Sequence, residues 1–122
     1  QRGDRIDILV NNAGLGVSGR LNKISRERVT QLIDTNVRSL TALLHPVAGT
    51  MAQHGSGAIL NVASTAAFQP APRESLYTGS KAYVKSLSDA LHVELAPLGV
   101  GVTWEETYSA QLAALAADRQ AA

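Results

Sequence analysis

Short apolar runs alternate with longer helical stretches along this 122-residue chain, and this alternation limits its possible folds more than any other feature. Residues 6–11, 58–62 and 101–104 have the length and apolar content of buried strands. A helical stretch separates each pair of runs, so the order is strand, helix, strand, helix, strand. This order predicts an α/β fold, a doubly wound parallel sheet of three strands with two right-handed crossover helices and a C-terminal helical tail.

Each helical stretch carries an apolar stripe at helical spacing. The first spans residues 25–44, with Ser25 as a candidate N-cap, and Pro46 is expected to kink or end its regular part. Its inward residues are predicted to be Val29, Leu32, Ile33, Val37, Leu40 and Leu44. The second spans residues 76–98, and Gly99 is its candidate C-cap. Its inward residues are predicted to be Val84, Leu87, Leu91 and Leu95.

Composition excludes several classes of function. The net charge is +1 and no basic block is interleaved with aromatics, so a nucleic-acid surface has no support. No apolar run is long enough to span a bilayer, which argues against a membrane partner and makes the cytoplasm the expected location. The chain has no cysteine, and the spacing of His45, His54 and His92 fits no metal-ligand pattern, so no metal site is predicted.

Tyr77 and Lys81 stand four residues apart near the start of the second helix, and Ser64 lies thirteen residues before Tyr77. Residues at i and i+4 share one helix face, so the Lys81 ammonium can approach the Tyr77 phenol. A fixed positive charge favours a phenolate, which makes a phenol more effective as an acid or base near neutral pH. Ser64 could donate a hydrogen bond to the reacting oxygen. This triple indicates a proton-transfer site, although Tyr and Lys also meet at this spacing on ordinary helix surfaces.

Other polar and small residues follow the first strand or interrupt the first helix. In open parallel sheets, ligands bind at the carboxyl ends of the strands. Asn11, Asn12, Ala13 and Gly14 end the first strand, where small residues let a ligand approach the backbone. Asn36 interrupts the apolar stripe of the first helix, and a buried amide must be hydrogen-bonded. It is either a structural side chain or part of the site, where it would hold a water in a proton relay.

Four motifs, LVNNAG, DTNV, NVAST and YTGSK, occur in order within residues 5–102, and together they resemble the short-chain dehydrogenase/reductase family. The resemblance implies a partial Rossmann-like fold and an NAD(P)-dependent oxidoreductase that acts on a small-molecule alcohol or ketone, with NAD or NADP as cofactor. It also implies a catalytic tetrad of Asn36, Ser64, Tyr77 and Lys81.

By that resemblance each tetrad member has a role. Tyr77 would be the acid or base, Ser64 would orient the substrate oxygen, and Asn36 would hold the relay water. Lys81 would promote ionisation of Tyr77 and bind the nicotinamide ribose. The cofactor would lie against Asn11, Asn12, Ala13, Gly14, Tyr77 and Lys81.

The chain also departs from the family's pattern. The opening strand and glycine-rich pyrophosphate turn are expected before Gln1, and residues 103–122 form a divergent tail without the usual Pro-Gly segment. We therefore predict one partial domain over residues 1–122, the catalytic half of such an enzyme. Its two helices would cover one sheet face, so the isolated chain is expected to self-associate or to be marginally stable.

Three functions remain open from the sequence. The chain could derive from an active oxidoreductase, be a catalytically silent portion that cannot bind the dinucleotide, or be a homo-oligomerisation module that uses its two long helices. The sequence does not decide the substrate or the choice between NAD and NADP. Arg73, in the loop before the second helix, could bind an acidic substrate or be a solvated charge.

Overall fold

Three parallel strands form the single sheet of the fold. The computed structural model describes residues 5–12, 14–63 and 71–105. The strands are β1 (Ile8–Asn11), β2 (Gly57–Val62) and β3 (Val100–Glu105), in the spatial order β1-β2-β3. Both pairs are parallel, as predicted, with β2 in the centre. The partial doubly wound α/β fold expected from the sequence is confirmed.

Helices connect the strands in the expected order. The first connection contains α1 (Arg26–Ile33), a π-helical turn (Asp34–Ser39) and α2 (Leu40–His54), and the second contains α3 (Ser75–Leu95). Ser25 is the N-cap of α1, because its side chain accepts a hydrogen bond from the Arg28 backbone N–H at 3.3 Å. Within the described ranges, no helix combines the length and hydropathy needed to cross a bilayer.

The first helical region differs from its prediction in two respects. It is interrupted by the π turn, and it does not end near Pro46 but continues to His54. Pro46 removes the amide that would bond the Ala42 carbonyl, yet both residues lie on an exposed side of α2, where water can replace the lost donor. The predicted inward position of Ile33 is also wrong, since this residue is 42% exposed beside the π turn.

All the helices pack on one face of the sheet. The residues of β2 and β3 that point to this face include Ile59 and Val102, which are fully buried. The core they form contains Leu40, Leu44, Val47, Met51, Ile59, Ala63, Val84, Leu95, Val100 and Val102. Their neighbours along the strands point to the opposite face, where Ile8 is 53% exposed and Leu60 is half-buried. The expectation that one face lacks helical cover therefore holds for the described residues.

The ends of the elements shift by a few residues from their predicted positions. β1 begins at Ile8 rather than residue 6, and β3 extends to Glu105, so residues 103–105 belong to the sheet and not to the tail. Residues 106–122 lie outside the described ranges. After α3, a short 3-10 turn (Ala96–Leu98) leads to Gly99, which has the left-handed conformation expected of a helix C-cap, with φ of 82°.

Gly99 and Gly101 provide a matched pair of positions that tests the packing of Gly99 against Gly55. A Cβ at Gly99 would overlap the Gly55 carbonyl, whereas among the described residues no atom would lie within 4 Å of a Cβ at Gly101. We expect Gly99→Ala to lower the free energy of unfolding by about 2–4 kcal/mol, through backbone strain and overlap. Gly101→Ala should change it by less than about 1 kcal/mol. Urea denaturation measures both, and similar losses in the two variants would contradict this packing.

Candidate active site

The side chain of Asn36 connects three parts of the fold. Asn36 lies in the π turn and is fully buried. Its Oδ1 accepts a hydrogen bond from the Leu15 backbone N–H at 2.8 Å, and its Nδ2 donates to the Leu15 carbonyl at 2.9 Å. Nδ2 also donates to Ser80 Oγ on α3 at 3.0 Å. Because an amide offers two donors and one acceptor oxygen, both donors are used by protein atoms and one oxygen lone pair remains.

The loop after β1 lies along the start of α3. A Cβ at Gly14 would lie 3.1 Å from Lys81 Nζ, and a Cβ at Gly16 would lie 4.0 Å from Tyr77 Cδ1. Farther along, the Gly19 backbone N–H donates to the Arg73 carbonyl at 2.6 Å. The loop therefore passes Lys81 first, then Tyr77, and then Arg73.

Lys81 is buried at the carboxyl end of the sheet. The residue is only 4% exposed. Its Nζ donates a hydrogen bond at 3.2 Å to the carbonyl of Val62, which is the last residue of β2. Nζ lies 5.8 Å from the centroid of the Tyr77 ring. Burial lowers the pKa of Lys81 from its ordinary value of 10.5, because desolvation disfavours the charged form. The structure thus brings together the two residues that the spacing paired.

A second buried polar chain lies beneath this site and was not predicted. Asn11 Nδ2 donates to Asn61 Oδ1 at 3.2 Å, and Asn61 Nδ2 donates to Ser88 Oγ at 2.9 Å. Ser88 Oγ in turn donates to the Val84 carbonyl at 2.7 Å. The Asn11 side chain, a predicted cofactor contact, therefore has a partner within the core. The signal in the sequence was Asn61, a polar residue within the otherwise apolar strand β2.

The remaining predicted residues have simpler outcomes. Asn12 is exposed directly after β1. Ala13 and Ser64 lie outside the described residues. Across the described ranges, no group of three or more His, Asp or Glu side chains is arranged to hold a metal ion. His92 is at the surface of α3, where its Nδ1 lies 2.9 Å from the Val102 carbonyl.

Comparison with known proteins identifies the family. The model of the short chain dehydrogenase family matches residues 1–115. The chain belongs to this family. An uncharacterized oxidoreductase of Staphylococcus saprophyticus is 38% identical over 99 residues, which cover 81% of this chain and 42% of the relative. Human 17-beta-hydroxysteroid dehydrogenase type 1 is 34% identical over 96 residues, which cover 79% of this chain and 29% of the relative.

Solved structures show the same similarity. A short-chain dehydrogenase from Sphingobium yanoikuyae in complex with NADPH has 41% sequence identity and a TM-score of 0.79, over 84% of this chain and 41% of that one. A bulky-bulky ketone specific alcohol dehydrogenase from Comamonas testosteroni has 37% identity and a TM-score of 0.77, over 81% and 40%. The chain therefore spans about two-fifths of the length of these family members.

The buried amine of Lys81 predicts a dependence of stability on pH. The folded-state pKa lies below 10.5, so between these two values the unfolded chain binds more protons and stability rises with pH. Below that window the cost of burying the charge is fully present. We expect Lys81→Met to raise the free energy of unfolding at neutral pH by about 1 kcal/mol or more and to remove the rise at alkaline pH.

Chemical denaturation at a series of pH values, without added ligand, measures this effect. Lys85→Met is the matched control, since its amine lies one turn farther along α3, pairs with Asp89 at 2.8 Å and has a more exposed side chain. The control should retain the alkaline rise. An unchanged rise in Lys81→Met would contradict the cause given for the lowered pKa.

Proposed function

We propose that the protein containing this chain is an NAD(P)-dependent oxidoreductase that uses Tyr77 as its general acid or base. The observation that carries the proposal is the position of the Lys81 amine, which lies between the Gly14 backbone, the end of β2 and the Tyr77 ring. Membership of the short chain dehydrogenase family supports it, as do the oxidoreductases among the similar proteins.

The residues around Lys81 fit a nicotinamide ribose. An ammonium has three N–H donors, and among the described residues one of them is used, by the Val62 carbonyl. The others can bind ribose hydroxyls. Gly14 keeps the backbone beside the amine free of a side chain, since a Cβ there would lie 3.1 Å from Nζ. We propose that Asn12 and Gly14 lie beside the cofactor, which would supply or accept a hydride at the substrate carbon, and we retain Ala13 as a predicted cofactor contact.

The protein's own groups would handle the proton. In reduction of a ketone, Tyr77 would give its phenolic proton to the carbonyl oxygen as the carbon receives the hydride pair, and in oxidation it would take that proton back. A positive charge at Lys81 favours the phenolate form of Tyr77 that this exchange produces. We retain Ser64 as the predicted donor to the substrate oxygen.

For Asn36, the described bonds favour a positioning role. Both of its N–H donors are occupied, by the Leu15 carbonyl and by Ser80 Oγ. These bonds hold the loop after β1 against the start of α3, where Tyr77 and Lys81 lie. The oxygen lone pair that remains can accept from a water, so the predicted relay role is compatible with this scaffold.

The substrate class we propose is an alcohol or ketone. The Comamonas enzyme is named as ketone specific, the human relative as a hydroxysteroid dehydrogenase, and a Burkholderia cenocepacia structure with 27% identity as a gluconate 5-dehydrogenase in complex with NADP and tartrate. Each of these names denotes chemistry at a hydroxyl or carbonyl carbon. We also retain the prediction that the protein is cytoplasmic.

Tyr77 and Tyr83 provide the test, because both lie on α3 and one is outside the site. The Tyr83 hydroxyl is 2.8 Å from Thr41 Oγ1, and the residue is 36% exposed. In the complete protein, Tyr77→Phe should lower kcat for NAD(P)H-dependent ketone reduction by about 100-fold or more, because the proton donor is lost. Tyr83→Phe should stay within about twofold of the parent.

Two results would overturn the assignment. One is retention of full activity by Tyr77→Phe, which would place the acid elsewhere. The other is failure of the folded complete protein to bind NADH and NADPH in calorimetry, which would favour the catalytically silent alternative. Binding of either dinucleotide with loss of turnover in Tyr77→Phe supports the proposal.

We infer in addition that the protein pairs through α2 and α3. A groove of about 290 Å³ lies between these helices, and its lining is mostly apolar, with the small residues Ala48, Gly49 and Ala52 on one side and Leu87 and Leu91 on the other. Small residues let a second helix approach closely, so a second copy of the chain is the partner we propose for this groove.

Gly49 offers a clean test of that interface. Among the described residues no atom would lie within 4 Å of a Cβ at Gly49, and replacement of glycine favours a helix by about 1 kcal/mol. Gly49→Arg should therefore fold and yet dissociate the oligomer in sedimentation velocity. Thr50→Arg, on the exposed side of α2 outside the groove, should leave it assembled. An unchanged sedimentation coefficient in Gly49→Arg would contradict the inference.

A further inference from the structure

A basic cleft opens beside the candidate active site. It has a volume of about 520 Å³ and lies between the loop after β1, the start of α1 and the loop before α3. Four of its lining residues are cationic, namely Arg20, Lys23, Arg28 and Arg73. No acidic residue lines it, and within the described part of the chain none of these four side chains forms an ion pair. This basic cleft thus collects positive charge without an internal counter-charge.

The basic cleft lies beyond Tyr77 on the side away from Lys81. The loop after β1 passes Lys81 at Gly14 and Tyr77 at Gly16, and then reaches the cleft at Val17. The bond from the Gly19 N–H to the Arg73 carbonyl links two of the residues that line the cleft. A molecule whose reacting carbon sits at Tyr77, with the cofactor on the Lys81 side, would therefore extend its other end into this cleft.

The side chains in the basic cleft suit an oxyanion. A guanidinium presents planar pairs of N–H donors that match carboxylate and phosphate groups, and arginine supplies three of the four charges. Like charges placed close together repel one another, and a bound anion removes that repulsion. All four cationic residues are exposed, so the charges are accessible to a ligand from solvent.

The backbone of Arg73 gives an independent indication. Arg73 has φ of 72°, and it is the one non-glycine residue with positive φ among those described. A non-glycine side chain in this conformation costs about 1 kcal/mol or more, and such residues cluster at binding sites. Glycine would remove this strain, yet an arginine occupies the position and lines the basic cleft.

We propose that the basic cleft binds an anionic group, a carboxylate or a phosphate ester, on the substrate whose carbonyl or alcohol carbon reacts at Tyr77. This inference rests on the proposed oxidoreductase function and adds the charge of the substrate to it. Arg28 and Arg73 are its specificity-determining residues, since they line the cleft from two different parts of the fold, α1 and the loop before α3.

Direct binding tests the anion site without turnover. Levulinate, its uncharged methyl ester and inorganic phosphate are titrated separately into the complete ¹⁵N-labelled protein, and the backbone amide signals of Gly19, Lys23 and Arg73 are followed. We expect levulinate or phosphate to shift these signals and the ester to leave them in place. Raising the ionic strength from about 0.05 M to about 0.5 M should weaken the response. The proposal would be overturned if neither levulinate nor phosphate shifted these signals, or if the ester shifted them as much as levulinate did.

Variants connect the shifts to the named arginines. Arg28→Gln removes the charge but keeps a polar side chain at an exposed helix position, and Arg73→Gly suits the left-handed backbone, so both should fold. Each should raise the Kd of the responding anion about tenfold, which is the loss expected for one charge-assisted hydrogen bond. Arg26→Gln is the control, because it makes the same charge change on α1 but does not line the cleft. Equal weakening in the control would overturn the assignment to Arg28 and Arg73.

Steady-state kinetics connect the basic cleft to the substrate. For keto acids and their methyl esters of equal length, Arg28→Gln should raise KM for the acid about tenfold, with kcat and the ester KM unchanged. Equal KM changes for acid and ester would remove the cleft from substrate recognition. If the parent protein reduces no ketone, the oxidoreductase proposal fails, while the titration still decides whether the cleft binds an oxyanion.

Discussion

The buried amide of Asn36 is the constraint on which the rest of the site depends. It bonds both backbone groups of Leu15 and the hydroxyl of Ser80, so it joins the loop after β1 to α3. An unpaired polar group in this fully buried position would cost about 1–3 kcal/mol, which makes the arrangement specific rather than adjustable. With Leu15 fixed, Gly14 lies against Lys81 and Gly16 lies against Tyr77. The Lys81 amine and the Tyr77 ring therefore lie along the same loop.

The sequence predicted the parts of this arrangement that depend on local periodicity. Strand and helix order followed from the apolar runs, and parallel pairing followed from that order. The contact between Tyr77 and Lys81 followed from the i and i+4 geometry of a helix, and the structure places the amine 5.8 Å from the ring centroid. The left-handed cap at Gly99 followed from the type of residue alone.

The features that were missed depend on contacts between distant residues. A single helix with Ile33 in its inward stripe was predicted, whereas a π turn begins directly after Ile33, which is 42% exposed; Asn36 is buried, as its place in the stripe indicated. The buried residues Leu32, Asn36, Leu40 and Leu44 recur every four positions, a wider spacing than 3.6 that a π turn accommodates. The chain of Asn11, Asn61 and Ser88 joins residues up to 77 positions apart and left only a polar residue within a strand as its local sign.

The covered face of the sheet carries both the apolar core and the described contacts of the candidate site. Every described contact that forms the candidate site comes from the carboxyl ends of β1 and β2 and from helices on the covered face. The opposite face presents Ile8, Val10 and Leu60 and carries none of the site's described contacts, although parallel sheets in α/β proteins are ordinarily covered on both faces. Whatever covers that face would add apolar burial to the fold, while the side chains of Asn36 and Lys81 already form hydrogen bonds within the covered layer. The positions of the Asn36 amide and the Lys81 amine are therefore set by hydrogen bonds on the covered side of the sheet.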